Sequence, residues 1–244
     1  MECRQIGIVW PEPVQERHRT ELQAFVGPDL VLDIEPVRTD PDPEPNITLA
    51  LVEGLARDPQ NGHAARRLAE RGAQALAYGC TSASYVLGPE GDAAIIDEMQ
   101  AASGLPATTT SSAVVEALRV LGVKSVAVLS PHIDDLNARL RVYLETAGFT
   151  VASMVGLNLR CDIEDVEPAE TREIVESQVD RPDADAVFIS CTGMRTAGII
   201  DDIEASLGKP LVTANQATLW HARQLAGISS ATPDRGRLLA ASRG

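Results

Sequence analysis

Tyr78-Gly-Cys-Thr-Ser-Ala-Ser84 has a second version at Ser190-Cys-Thr-Gly-Met-Arg195, and each follows a short apolar run, 73–78 (AQALAY) and 184–189 (ADAVFI). Near-continuous apolar segments of this length suit strands of a parallel sheet covered on both faces. After each cysteine come Thr, small or polar residues and a helical pattern. A cysteine at such a junction is expected at a helix N-terminus, where free backbone N–H groups and the positive dipole end favour an anion. The thiolate is then favoured over the thiol, and Cys80 and Cys191 become usable bases or nucleophiles. The same N–H groups, Gly193 included, with the hydroxyls of Thr81, Ser82, Ser84 and Thr192, can hold a carboxylate.

The repeat extends beyond the cysteines. Gly104-Leu-Pro-Ala-Thr-Thr-Thr-Ser-Ser-Ala113 returns loosely as Gly208-Lys-Pro-Leu-Val-Thr-Ala-Asn-Gln-Ala217, each running into an amphipathic helix (114–121 and 218–225). Pro106 pairs with Pro210, Thr109 with Thr213, Arg119 with Arg223 and Leu121 with Leu225, at an offset of about 104 residues, which suits a duplicated lobe rather than a solenoid. The cysteines are offset by about 111, so the second half lacks roughly two helical turns between Cys and Pro.

The rest of the chain reads as alternating strands and helices. Strands are expected at 5–9, 30–36, 73–78, 106–109, 125–129, 150–156, 186–189 and 211–213, with helices at 47–55, 62–71, 93–102, 112–121, 134–147, 169–179 and 217–225. The implied class is α/β: two pseudo-symmetric lobes, each a parallel doubly wound sheet flanked by helices, with ligands at the carboxyl ends of strands and so in the cleft between lobes. Residues 1–111 with 222–244 are assigned to the first lobe and 112–221 to the second. The prolines of Arg38-Thr-Asp-Pro-Asp-Pro-Glu-Pro-Asn46 forbid regular structure, leaving a surface loop or a lid.

At 244 residues the chain can bury a substantial core. A formal charge of -14 and 3% aromatic residues argue against nucleic acid and anionic membrane as partners. A small anionic substrate can still bind through local helix N-termini, and assembly into a homo-oligomer is left open. No stretch approaches the roughly 20 apolar residues of a membrane span, and no basic leader is visible at the start, so a cytoplasmic protein is expected. Four cysteines without CxxC or zinc-type His spacing argue against a metal, and a reducing compartment leaves thiols free. Cys3 and Cys161 read as incidental, His221 as an ordinary helical residue, and Asp134, Asp135, Asp201 and Asp202 as acidic residues at helix starts. Asn158 is a site candidate because its loop follows a strand. Arg195 suits a structural or interlobe ion pair.

Taken together, Ile6-Gly-Ile-Val-Trp-Pro11, Gly79-Cys-Thr-Ser82, Val128-Leu-Ser-Pro131 with Leu136-Asn137, Ser190-Cys-Thr-Gly-Met-Arg-Thr196 and Pro210 to Trp220 resemble the aspartate/glutamate racemase superfamily. Within it the likeness is to the branch of maleate cis-trans isomerases and arylmalonate decarboxylases. The resemblance implies a cofactor-independent enzyme with Cys80 and Cys191 as catalytic residues. Decarboxylases of this branch keep one catalytic cysteine, so two favour an isomerase or racemase of a small carboxylate or dicarboxylate. It further implies that the loop at Pro11 touches substrate; the isomerases carry an Asn there, for which Gln15 is the nearest candidate. His132 stands where the family usually has a carboxylate-binding Tyr. The alternatives left open are an Asp/Glu-type racemase, a malonate-type decarboxylase and a non-catalytic dicarboxylate sensor.

Overall fold

The computed structural model describes residues 4–27, 30–39, 46–228 and 235–241. Two four-stranded parallel sheets form its frame. In the first, β1 (Arg4–Trp10), β2 (Leu30–Pro36), β3 (Ala75–Tyr78) and β4 (Ala107–Thr109) lie in the order β2-β1-β3-β4. In the second, β5 (Ser125–Ser130), β6 (Thr150–Gly156), β7 (Ala186–Ile189) and β8 (Leu211–Thr213) repeat it as β6-β5-β7-β8. The duplication read from sequence is therefore a duplication of topology. Parallel pairing demands crossovers, and helices supply them on both faces.

The helices of the first half are α1 (Glu16–Gln23), α2 (Leu49–Ala56), α3 (Gln60–Glu70), α4 (Thr81–Tyr85), α5 (Gly88–Ser103) and α6 (Thr110–Val120). Those of the second are α7 (Asp134–Thr146), α8 (Pro168–Ile174), α9 (Ile200–Leu207), α10 (Ala214–Leu225) and α11 (Gly236–Ala241). β3 and β7 are buried along their whole length, as their apolar runs require. Gly7 lets α3 press on β1, because a Cβ there would come within 2.7 Å of Leu76 and 3.0 Å of Leu68.

Two readings are corrected and one is located. Residues 88–92, left outside the helix expected at 93–102, are the first turn of α5, where Pro89 sits at a helix start and needs no N–H partner. The expected helix at 169–179 is α8 continued by a π-helical stretch, Val175–Val179. The two helical turns missing from the second half are those of one helix: α9 has 8 residues where α5 has 16, while the stretch between each cysteine and that helix is of nearly equal length, helical as α4 in the first half only.

α6 and α10, which follow the equivalent strands β4 and β8, pack on each other across the two halves. Thr218 Oγ1 donates to Thr110 Oγ1 at 2.9 Å between them. The tail ends in α11, which lies against α10, α9 and β8, and α10 in turn packs on β3 and β4 of the first sheet. Asp201 and Glu204 accept the backbone N–H groups of Gly236 and Arg237 and hold α11 there. No helix among the described residues is long and apolar enough to cross a membrane.

Candidate active site

The carboxyl ends of the two sheets face one cleft of about 440 Å³. Cys80, Ser82, Pro11 and Gln15 line it from the first half, and His132, Cys191, Thr192 and Gly193 from the second. Ile47, Leu51, Val52 and Leu55 make one wall apolar. α2 is held there by Leu55, whose carbonyl accepts Tyr78 Oη at 3.2 Å and Asn61 Nδ2 at 3.1 Å.

The cysteines differ in setting. Cys80 is the N-cap of α4 with extended backbone, its Sγ 3.6 Å from Ser82 Oγ. Cys191 has φ 85°, the left-handed region that a side chain rarely adopts, and no helix begins until Ile200. The expectation that each cysteine starts a helix thus holds for Cys80 alone. The Gly193 N–H donates to Cys191 Sγ at 3.4 Å.

The expected preference for thiolate is overturned at both. Burial pushes the Cys80 thiol up to about 11, against the Ala83 and Ser82 N–H groups and the Ser82 hydroxyl. Burial, with the charges of Cys80, Glu12 and Glu164 and against the Gly193 N–H, pushes Cys191 up to about 12. α4 has a single turn and a correspondingly small dipole effect, while removal from water acts on the whole charge of the thiolate.

The carboxylate donors are fewer than the sequence suggested. Ser82 faces the cleft, but Thr81 does not line it, and the Thr81 hydroxyl is buried without a partner among the described residues. Ser84 Oγ is used inside the fold, on the Cys80 and Thr81 carbonyls and Ser111 Oγ. Thr192 lines the cleft, yet its Oγ1 donates to the Gly79 carbonyl at 3.2 Å.

His132 is buried with neither ring nitrogen partnered among the described residues, and burial lowers its pKa to about 4, so it is neutral at pH 7. Asn137 Nδ2 donates to the His132 carbonyl at 2.8 Å and fixes that loop. Asn158 does not join the site: it is exposed, with φ 57°, outside the cleft lining. Gln15 is exposed at the rim, just before α1.

Arg38 and Asn46, the ends of the proline-rich loop, line the cleft; 40–45, the core of the lid reading, lie outside the described residues, as does Cys3. Cys161 stands on the cleft wall. Arg195 pairs with Glu167 at 2.9 Å within the second half, a structural role.

Sequence reasoning missed four contributors. Arg17, His18 and Arg160 line the cleft. Glu21 Oε1 accepts the N–H and hydroxyl of Thr196 and the N–H of Ala197, at 2.7, 3.0 and 2.9 Å, tying α1 to the turn that follows Cys191. None sits in a repeated motif; the available signal was the position of α1 directly after the Pro11 loop for Arg17, His18 and Glu21, and for Arg160 the loop after β6 that had already made Asn158 a candidate.

The arylmalonate decarboxylase family model matches residues 59–239. Arylmalonate decarboxylase of Bordetella bronchiseptica is 36% identical over 179 residues, 71% of this chain and 74% of that one. Maleate isomerase of Nocardia farcinica is 29% identical over 196 residues, 77% and 78% of the two chains. A liganded arylmalonate decarboxylase, with one glycine changed to cysteine and one cysteine to serine, superposes with TM-score 0.83 at 29% identity over 96% of this chain and 98% of its own.

Proposed function

This chain belongs to the arylmalonate decarboxylase family, and on that premise we propose that it is a cofactor-independent isomerase or racemase of a small carboxylate or dicarboxylate. The observation that carries this reading is the presence of Cys80 and Cys191 in one cleft, each at the carboxyl end of an equivalent strand. Two sulfurs approaching from different lobes suit a reaction that takes a proton, or adds a nucleophile, on one side of a carbon and returns a proton elsewhere.

In the maleate-type reaction, Cys80 as thiolate adds to one alkene carbon while the Cys191 thiol gives its proton to the other. The former double bond is then single and rotates. Cys191 thiolate recovers the proton, the C–S bond breaks, and the trans acid leaves with both sulfurs in their starting states. In racemisation, one thiolate removes the α-proton and the opposite thiol protonates the other face. Ser82 and the neutral His132 are the donors suited to hold carboxylate through either course. A Nocardia farcinica maleate isomerase mutant bears a covalently bound succinylcysteine intermediate, which supports the additive course.

A second reading is favoured by the raised thiol pKa values. Decarboxylation of a malonate-type acid needs Cys191 only as a protonated acid: carbon dioxide leaves, an enediolate forms, the thiol protonates it, and the thiolate left behind regains its proton from water. Incubating the protein with maleate, aspartate, glutamate and aryl- or alkylmalonates in heavy water separates the readings. Isomerisation or α-carbon exchange without loss of carbon supports the proposal, whereas carbon dioxide release with one deuteron gained supports decarboxylation.

A further inference from the structure

Two imidazoles line the cleft, His18 from the first half and His132 from the second. Each follows the equivalent inner strand of its sheet, β1 and β5. The cysteines follow the equivalent β3 and β7, so each half brings one Cys and one His to the cleft, although His18 lies on α1 and His132 in the loop before α7. His18 is 9% exposed and His132 2%, so neither is a loosely held surface ring.

The orientation of His18 is fixed from two sides. Nδ1 accepts the Gln15 backbone N–H at 3.2 Å, which places the ring proton on Nε2. The ring lies on Trp10, with centroids 5.1 Å apart, and Trp10 itself packs on Gly79, where a Cβ would meet it at 2.7 Å. Nε2 makes no hydrogen bond with any described residue. Burial and the neighbouring Arg17 lower the His18 pKa against the pull of Glu164, which favours the neutral ring.

We propose that His18 is a substrate-binding residue whose Nε2–H holds one carboxylate of a dicarboxylate while His132 serves the other. Each lobe then supplies one cysteine and one neutral imidazole. The inference rests on reading the cleft as the substrate site, and adds that the substrate carries two carboxylates. A monocarboxylate would engage only one of the two imidazoles and so bind more weakly.

Calorimetric titration tests this without requiring turnover. Maleate and phenylmalonate serve as dicarboxylates, acrylate and phenylacetate as their monocarboxylate counterparts, with wild-type protein, His18→Phe and His18→Gln. His18→Phe is expected to weaken the dicarboxylates by roughly tenfold or more, the loss of one hydrogen bond to a charged group, and to leave the monocarboxylates nearly unchanged. His18→Gln, which keeps a donor, is expected to recover most of that loss.

Should His18→Phe fail to fold, the Gln variant carries the test, because near-wild-type dicarboxylate affinity is then required of it. Equal loss for both acid classes, or none, overturns the proposal, as does a wild-type protein that binds none of the four acids. Dicarboxylate binding that depends on His18 in a protein without turnover would sink the isomerase reading and leave this one standing.

Discussion

Thr192 Oγ1 donates a hydrogen bond of 3.2 Å to the carbonyl of Gly79, so the residue after one cysteine is tied to the residue before the other. The contact joins the two halves beside the two sulfurs. Thr192→Val keeps the shape and removes the donor. It should lower stability by about 1 to 3 kcal/mol, the cost of stranding a buried carbonyl. It should also depress turnover, which Thr192→Ser restores. Urea denaturation and kcat for the three proteins check both effects.

Replacing either Cys80 or Cys191 by Ser should lower isomerase or racemase turnover by at least about a hundredfold, since a hydroxyl is a poor substitute in proton transfer or nucleophilic attack. Maleate affinity, measured by calorimetry, should stay within a few-fold. Near-normal turnover in Cys80→Ser would remove the two-cysteine mechanism and leave Cys191 as the single acid.

The sheets were legible because β3 and β7 are unbroken apolar runs that end in the same Cys-Thr pair. A strand-end cysteine also announces its side of a parallel sheet. The ionisation of those cysteines was not legible, since helix position is local but desolvation depends on everything folded around the sulfur. Thr192 illustrates the same limit: its hydroxyl was read as a ligand donor, and a carbonyl distant in sequence takes it. His18 lies in the polar helix ERHRTELQ, which shows nothing unusual until Trp10 and Gln15 are placed against it. Gly88 and Pro89 looked like a loop because a helix start and a turn share those residues.

Glu21 should act as a positioning residue for Cys191 because one carboxylate oxygen gathers three donors from Thr196 and Ala197. Glu21→Gln replaces a charged acceptor with a weaker neutral one. A loss of about 1 to 3 kcal/mol in stability is expected. The expected kinetic signature is a fall in kcat with KM nearly constant, since the binding groups of the first half are untouched.

His132 makes the fold sensitive to acid. Its folded pKa, about 4, lies below the ordinary 6.5, so the unfolded chain binds a proton over a range where the native ring does not. Its contribution is present above pH 6.5 and is lost as pH falls toward 4, by about 3 kcal/mol in total. His132→Gln should therefore flatten the fall in urea midpoint between pH 7.5 and pH 4.5. An unchanged fall would mean that this imidazole does not control acid stability.

The pH dependence of kcat separates the two chemistries. With Cys80 pushed to about 11 and Cys191 to about 12, both thiols are protonated at neutral pH. Isomerisation or racemisation needs one thiolate before it can begin, so its rate should climb about tenfold per pH unit from pH 6 toward pH 9. Decarboxylation with Cys191 as acid already has the form it needs and should be flat over the same range. The window must stop near pH 9. A thiol whose folded pKa is raised stabilises the fold fully below the ordinary value of 9.0, and that contribution fades as pH rises toward 11 and 12. Within the window, a rising limb that disappears in Cys80→Ser places the reacting thiolate at Cys80. A flat profile that survives Cys80→Ser and is abolished by Cys191→Ser would assign the chain to decarboxylation, because only an acid that is already protonated and acts alone gives that pattern.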